Sequence, residues 1–248
     1  MPGIFAISDP HLPIQTQIHK FNAPKDYFQR IINHLEHVNP DILLIAGDLI
    51  WGTDISEIQK ELDILQNLPG KFKFFIEGNH DIWVDRLSPA YSEAQQKMYK
   101  LFSSPEFFYI GGRASIISLN SIKIGICGAR GFAFDEYEKP IEDEFLFRKN
   151  ELESLKRSLN ELKNIVKTEH TTINLCLMHY PPTISVFKEE RIGDDGFINY
   201  IHDTEIINKV IFGHIHIEED LRLYTKKEEI ELYCATVDRN NYTAIKVF

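Results

Sequence analysis

Asp41-Ile42-Leu43-Leu44-Ile45-Ala46-Gly47-Asp48 is a short apolar run, rich in branched side chains, that stops at a turn pair. Its shape reads as a strand buried on both faces. Two neighbours repeat it: residues 4–8 stop at Asp9-Pro10-His11, and residues 72–77 stop at Gly78-Asn79-His80-Asp81. Between the runs lie helical patterns. Residues 26–38 carry Tyr27, Phe28, Ile31, Ile32 and Leu35 and close at Asn39-Pro40. Residues 56–68 carry Ile58, Leu62, Ile64 and Leu65, with Asp54 and Ser56 as candidate caps and Pro69-Gly70 as a stop. The order β-α-β-α-β predicts parallel strands joined by helical crossovers.

Further along the chain, residues 92–102 predict a helix, and residues 114–119 and 123–127 predict a hairpin turning at Asn120-Ser121. Residues 150–166 form an amphipathic pattern with Leu152, Leu155, Leu159, Leu162 and Val166 on one face. Strands are expected at 171–178 and 210–212, and 221–224, 230–234 and 243–248 predict a closing antiparallel set around a charged turn at 226–229. Parallel units first and hairpins later imply two sheets packed together with helices outside. A chain of 248 residues with 43% hydrophobic side chains can bury such a core as one domain spanning 1–248.

The strand ends collect metal-preferring side chains. Asp9 and His11, Asp48, Asn79 and His80, His179, and His214 and His216 each follow an apolar run. Open α/β sheets place ligands at the carboxyl ends of strands, where the chain turns away and leaves a crevice. An extended Asp9-x-His11 would point both side chains to one side, and so would His214-x-His216. Asp48 offers two oxygens that can bridge two cations. Two carboxylates, an amide oxygen and several imidazoles are the donor set of a two-metal hydrolytic centre. Each cluster alone is an ordinary turn; their coincidence in order is what carries the reading. His19, His34, His37, His170 and His202 lie away from strand-to-loop junctions and are expected to face solvent or cap helices.

Composition narrows the classes. A formal charge of −10 argues against general nucleic-acid binding, since a negative surface repels phosphate backbones. Cys127, Cys176 and Cys234 show no paired spacing, so buried, reduced thiols and a cytoplasmic location are expected. The first residues lack the basic segment of a signal peptide, and no apolar stretch approaches the ~20 residues of a membrane span. Arg130, in a glycine-flanked loop, is a candidate substrate anchor, with a surface salt bridge as the alternative. Trp51, Trp83 and Phe132 either line a pocket or pack in the core. Residues 135–138 and 189–191 either form a lid or lie on a solvated face.

The ordered set resembles the calcineurin-like metallophosphoesterase superfamily, whose pattern is D-x-H, GD, GNH[DE], H and GHxH. Gly128-Ala129-Arg130-Gly131-Phe132, Phe147-Arg148-Lys149-Asn150-Glu151 and Met178-His179-Tyr180-Pro181-Pro182 look like a compact bacterial-type group within it. The resemblance implies a four-layer αββα sandwich with two mixed sheets and a dinuclear site at the strand ends. By motif, Asp9, His11 and His216 would hold one metal and Asn79, His179 and His214 the other, with Asp48 between them. His80 would contact the phosphate and assist the leaving oxygen, and Asp81 would orient the His80 ring. Many members carry a charged residue shortly after the GD, whereas this chain reads Leu49-Ile50-Trp51.

The implied cofactors are two divalent ions among Mn, Fe, Zn, Co and Ni, and the implied partner is a small phosphorylated substrate. The implied reaction is hydrolysis of phosphomonoesters or phosphodiesters by a hydroxide bridging the two metals. A nuclease or nucleotide-diester hydrolase, and a non-catalytic interaction scaffold on the same fold, are the competing readings.

Overall fold

The computed structural model describes residues 2–12, 14–51, 63–82, 88–132, 142–187, 196–216, 220–221, 224–227 and 229–248. The first three runs become β1 (Ile4–Ile7), β2 (Ile42–Ile45) and β3 (Phe72–Phe75), which pair in parallel and in that order. A fourth parallel strand, β4 (Phe107–Tyr109), extends β3. At the other edge the chain returns as a short antiparallel strand (Ile245–Lys246) beside β1.

The second sheet opens with the expected hairpin, β5 (Arg113–Leu119) and β6 (Ile122–Ala129). Asn120 and Ser121 both adopt positive φ, 47° and 69°, as a tight two-residue hairpin turn requires. Parallel to β6 run β7 (Ile173–Met178), β8 (Lys209–Phe212) and, after β9 (Tyr224–Lys227), β10 (Ile230–Cys234). The strand β9 is antiparallel to β10 at the edge. The returning Ile245–Lys246 is therefore β11. Here the structure corrects the sequence expectation of one closing antiparallel set. Its middle member joins a parallel ladder, and its last member crosses to the other sheet.

Three helices cover the first sheet's flank and the site: α1 (Ile14–Phe21), α2 (Tyr27–Val38) and α3 (Pro89–Leu101). The helix α3 begins three residues before the apolar pattern, because Ser88 accepts from the Ala90 amide and Pro89 opens the first turn. The second sheet carries α4 (Glu142–Glu169) and α5 (Gly196–Asp203). The helix α4 starts eight residues ahead of the 150–166 pattern that predicts it. Most of the helix expected at 56–68 lies outside the described residues; 63–66 are helical.

Alternation along each strand divides the core into layers. Ile4 and Ala6, Ile42 and Leu44, and Phe74 and Ile76 face Ile124, Ile126, Leu175, Leu177 and Ile211 across the sandwich. The odd neighbours Phe5, Ile7, Leu43, Ile45 and Phe75 pack under α2 and α3 with Tyr27, Ile31, Leu35 and Met98. Cys127, Cys176, Met178, Val210 and Phe212 pack under α4 and α5 with Leu155, Leu159, Leu162, Phe197 and Ile201. Strands buried on both faces are apolar on both, which is why these runs do not alternate; the buried exceptions Lys73 and Asn174 donate to the Gly70 and Ile206 carbonyls. The result is the four-layer αββα arrangement. Cys127, Cys176 and Cys234 are buried and free, as expected.

Candidate metal centre

The parallel strands of both sheets end on the same rim. Asp9, Asp48 and Asn79 follow β1, β2 and β3; His179 and His214 follow β7 and β8. Two groups converge there, Asp9 with His11 and His216, and Asp48 with His179 and His214, each with candidate ligand atoms within 4.8 Å of one another. Asp9, His11, Asp48 and His179 are fully or almost fully buried.

The route to convergence differs from the expected one. Asp9, His11, Asp48 and His214 have φ of 60°, 46°, 49° and 68°, so these segments are tight left-handed turns rather than extended chain. Four non-glycine residues in a sparsely allowed region, all at one rim, mark strain held by the surrounding fold. Backbone amides secure it: His214 N donates to Asp9 Oδ2 at 2.9 Å, and His80 N donates to Asp48 Oδ1 at 2.8 Å. Gly78 is needed beside them, since a Cβ there would stand 2.0 Å from Asp48 Oδ1.

Acceptor atoms face one another across the centre. His179 Nδ1 donates to the Ala46 carbonyl at 2.9 Å, which leaves its Nε2 lone pair pointing at Asn79 Oδ1, 2.8 Å away, and at Asp48 Oδ2, 3.5 Å away. Lone pairs gathered this closely form a cradle that a cation would fit. On the other side, His216 Nδ1 pairs with Asp238 Oδ2 at 2.8 Å, turning its Nε2 towards His11 Nε2 at 3.4 Å. His11 Nε2 stands 3.9 Å from both Asp9 Oδ1 and Asp48 Oδ2. His214 Nδ1 lies 3.0 Å from Asn79 Oδ1. Asp48 Oδ2 thus borders both groups. The donor set fits two divalent ions of the borderline N/O-binding kind.

Burial sets the protonation without ions. It raises Asp9 to about 6 and Asp48 well above the ordinary carboxylate range. It lowers His214 to about 3 and His80 to about 4, and holds His11 and His179 well below the usual imidazole value. Neutral imidazoles are ready to coordinate, and arriving positive charge would favour the ionised carboxylates.

Contacts at two side chains add to the sequence expectation. Asp81 accepts from Ile50 N at 2.9 Å and Gly78 N at 2.7 Å, so its carboxylate ties the loop after β2 to the loop after β3. Burial raises it to about 7. His80 stacks on Trp51, centroids 3.6 Å apart and planes 19° from parallel. Arg130 is 1% exposed, which excludes the surface salt bridge. Its Nη1 donates to Tyr91 Oη at 3.3 Å, and its carbonyl accepts from His179 N and Tyr180 N at 3.0 Å each. Phe132 is half-buried against the α4 side of the core, while Trp83 and residues 135–138 and 189–191 lie outside the described residues. Among the remaining histidines, His34 is half-buried and accepts from Ala244 N at 3.2 Å.

Sequence reasoning missed Asp238 and Phe21. Asp238 sits in a short turn after β10, and no motif marks it; only the folded position beside His216 reveals it. Phe21 ends α1 and stacks on His216 at 4.3 Å and on His11 at 4.8 Å. A carboxylate behind a ligating imidazole fixes its tautomer and raises its basicity, so Asp238→Asn is expected to weaken metal affinity about 10- to 100-fold. Titration of the chelated protein with Mn²⁺, followed by calorimetry, measures this.

A two-sheet sandwich with paired Asp/His clusters at the strand ends defines a class of metal-dependent hydrolases. The chain belongs to the calcineurin-like phosphoesterases: that family's model matches residues 3–218. It is a metallophosphoesterase. It is 26% identical over 192 residues to a probable cyclic nucleotide phosphodiesterase of Vesicomyosocius okutanii subsp. Calyptogena okutanii (strain HA), covering 76% of this chain and 67% of the relative. The fold is similar to the protein TT1561 of Thermus thermophilus, with TM-score 0.59, 11% identity, and 99% and 97% of the two chains covered. It is also similar to a putative 5'-nucleotidase from Staphylococcus aureus, with TM-score 0.54 and 15% identity, covering 94% of this chain and 48% of that one. The chain thus spans about half the length of that nucleotidase. Among the described residues, no helix is long and apolar enough to cross a membrane.

Proposed function

We propose that the chain is one metallophosphoesterase domain that hydrolyses small phosphomonoesters or phosphodiesters at this rim. The observation that carries the proposal is the meeting of His179 Nε2, Asn79 Oδ1 and Asp48 Oδ2, with both oxygens within 3.5 Å of the imidazole nitrogen. Asp9, His11 and His216 would hold one ion and Asn79, His179 and His214 the other, with Asp48 shared. Two divalent ions held by these residues would supply Lewis acidity, making water acidic enough to serve as the nucleophile near neutral pH.

The remaining work falls to side chains. Asp48, fixed by the His80 amide, presents Oδ2 to both ligand groups. Asp81 holds the two ligand loops at their spacing. His80, neutral at pH 7 because burial lowers it to about 4, donates an N–H to the leaving oxygen. Arg130 lies too deep to meet solvent directly; burial first and the neighbouring imidazoles next lower His179 and His214, with the Arg130 charge a smaller contributor, and its carbonyl positions the β7 loop.

A second reading, hydrolysis of nucleotide diesters, is favoured by the name of the curated relative. The net charge of −10 speaks against long nucleic acids as substrates under either reading. The test is a panel of p-nitrophenyl phosphate, bis(p-nitrophenyl) phosphate and cyclic nucleotides with the Mn²⁺-reconstituted protein. Turnover that needs the metal and disappears in chelator is expected. A protein that binds ions yet turns over none of these esters would leave the non-catalytic scaffold as the better account.

A further inference from the structure

We infer that Trp51 is a positioning residue for His80, holding the plane of its ring by stacking. This rests on the proposal that His80 serves the leaving oxygen. Asp81 accepts from the Ile50 and Gly78 amides through its two oxygens. The indole faces the His80 ring, stacked at 3.6 Å with the planes 19° apart. The indole is itself pinned: Lys20 Nζ stands 3.8 Å from its centroid, and Phe21 packs edge-on at 5.8 Å. Its backbone is fixed too, because Trp51 N donates to the Leu12 carbonyl at 2.6 Å.

The arrangement has a mechanical logic. Stacking fixes the plane of an imidazole without occupying either nitrogen, whereas a carboxylate partner takes one of them. His80 Nε2 stands 3.8 Å from Asp48 Oδ2, at the border of the two ligand groups, where an ester oxygen would depart. The cation of Lys20 favours the electron-rich indole face and holds it against rotation. The unusual Leu49-Ile50-Trp51 after Gly47-Asp48 then has a use: it brings an aromatic plane where other members carry a charge.

Leaving-group dependence separates this role from simple packing. Assistance to a departing oxygen matters least for p-nitrophenolate and most for phenolate and alkoxides. His80→Ala should therefore lower kcat by about 100-fold for phenyl and methyl esters and far less for p-nitrophenyl ones. Trp51→Ala should reproduce that selective loss at roughly 10-fold, Trp51→Phe should retain most of the rate, and the double variant should be no worse than His80→Ala alone. Bound metal is measured by elemental analysis throughout and should match the parent.

A metal-free readout stands beside the kinetics. In histidine-labelled protein, the His80 ring protons, assigned by their loss in His80→Ala, should lie upfield in the indole's ring current and move downfield in Trp51→Phe. Losses that are equal for all esters, or that add to those of His80→Ala, would overturn the inference, as would unshifted His80 protons in the parent. If His80→Ala itself shows no leaving-group dependence, the assignment of His80 fails instead, and the ring-proton shift still reports on the stack. Should Trp51→Ala not fold, Trp51→Phe and Trp51→Leu carry the same comparison.

Discussion

Asp48→Asn is expected to lower turnover of bis(p-nitrophenyl) phosphate or p-nitrophenyl phosphate by about 1,000-fold or more, which is several kcal/mol of lost charge stabilisation. The reason is positional. Asp48 Oδ2 lies 3.9 Å from His11 Nε2 in one ligand group and 3.5 Å from His179 Nε2 in the other. An amide of the same shape keeps the hydrogen bond from the His80 amide to Oδ1, so the loops should stay in place. What disappears is the negative charge at the one position common to both groups. Circular dichroism should therefore be unchanged while rate and metal stoichiometry fall together. An Asp48→Asn protein with near-parental rate and two ions per chain would contradict the placement of Asp48 between them.

Metal loading is expected to raise stability by an amount that depends on pH. At free metal 100-fold above Kd, binding adds about 2.7 kcal/mol to the folded state. For a chain of this size that corresponds to a rise in Tm of roughly 5–10 °C. The ligands must be ionised carboxylates and neutral imidazoles, and burial places Asp9 at about 6. The metal-induced rise should therefore shrink as pH falls through about 6, where protons compete for the carboxylates.

The chelated protein should behave oppositely at higher pH. Asp81 is raised to about 7 and Glu151 to about 8, both chiefly by burial. Each keeps its proton in the folded state after the unfolded chain has lost its own. Such groups favour the fold at low pH, and that contribution is lost as pH rises through the folded values. Between about pH 7 and 8.5 the metal-free protein should lose stability, since above about 7 histidines in the unfolded chain are mostly deprotonated and no longer offset the carboxylates. Thermal melts at fixed ionic strength, with and without Mn²⁺, measure both slopes. A flat metal-free profile across that range would contradict the buried, neutral state of these two carboxyls.

Much of this was legible in the sequence because the signals are local. A parallel strand buried on both faces reads as a short, mostly apolar run, so β1 and β2 announce themselves, and β3 and β7 do so despite Lys73 and Asn174. The rim residues follow those runs directly, which makes Asp9, Asp48, Asn79, His179 and His214 readable as a set. What could not be read depends on contacts between distant segments. Whether Ile230–Cys234 pairs in parallel or antiparallel is decided by the chain's path across the second sheet, which its own side chains do not encode. Asp238 acquires meaning only beside His216, and Trp51 only beside His80. The left-handed turns at Asp9 and His11 also escaped, because the period-2 argument assumes extended backbone.

The two ligand groups draw on both halves of the sandwich. Asp9, Asp48 and Asn79 come from the loops of one sheet, and His179, His214 and His216 from those of the other. Ions seated on that rim would act as a clasp, fastening layers that elsewhere adhere through dispersion and excluded water across Ile4, Leu44, Ile126 and Leu175. Cation supply would then govern how often the layers breathe apart, and amide exchange at Ile124 and Ile211 would slow on loading even though neither touches the rim.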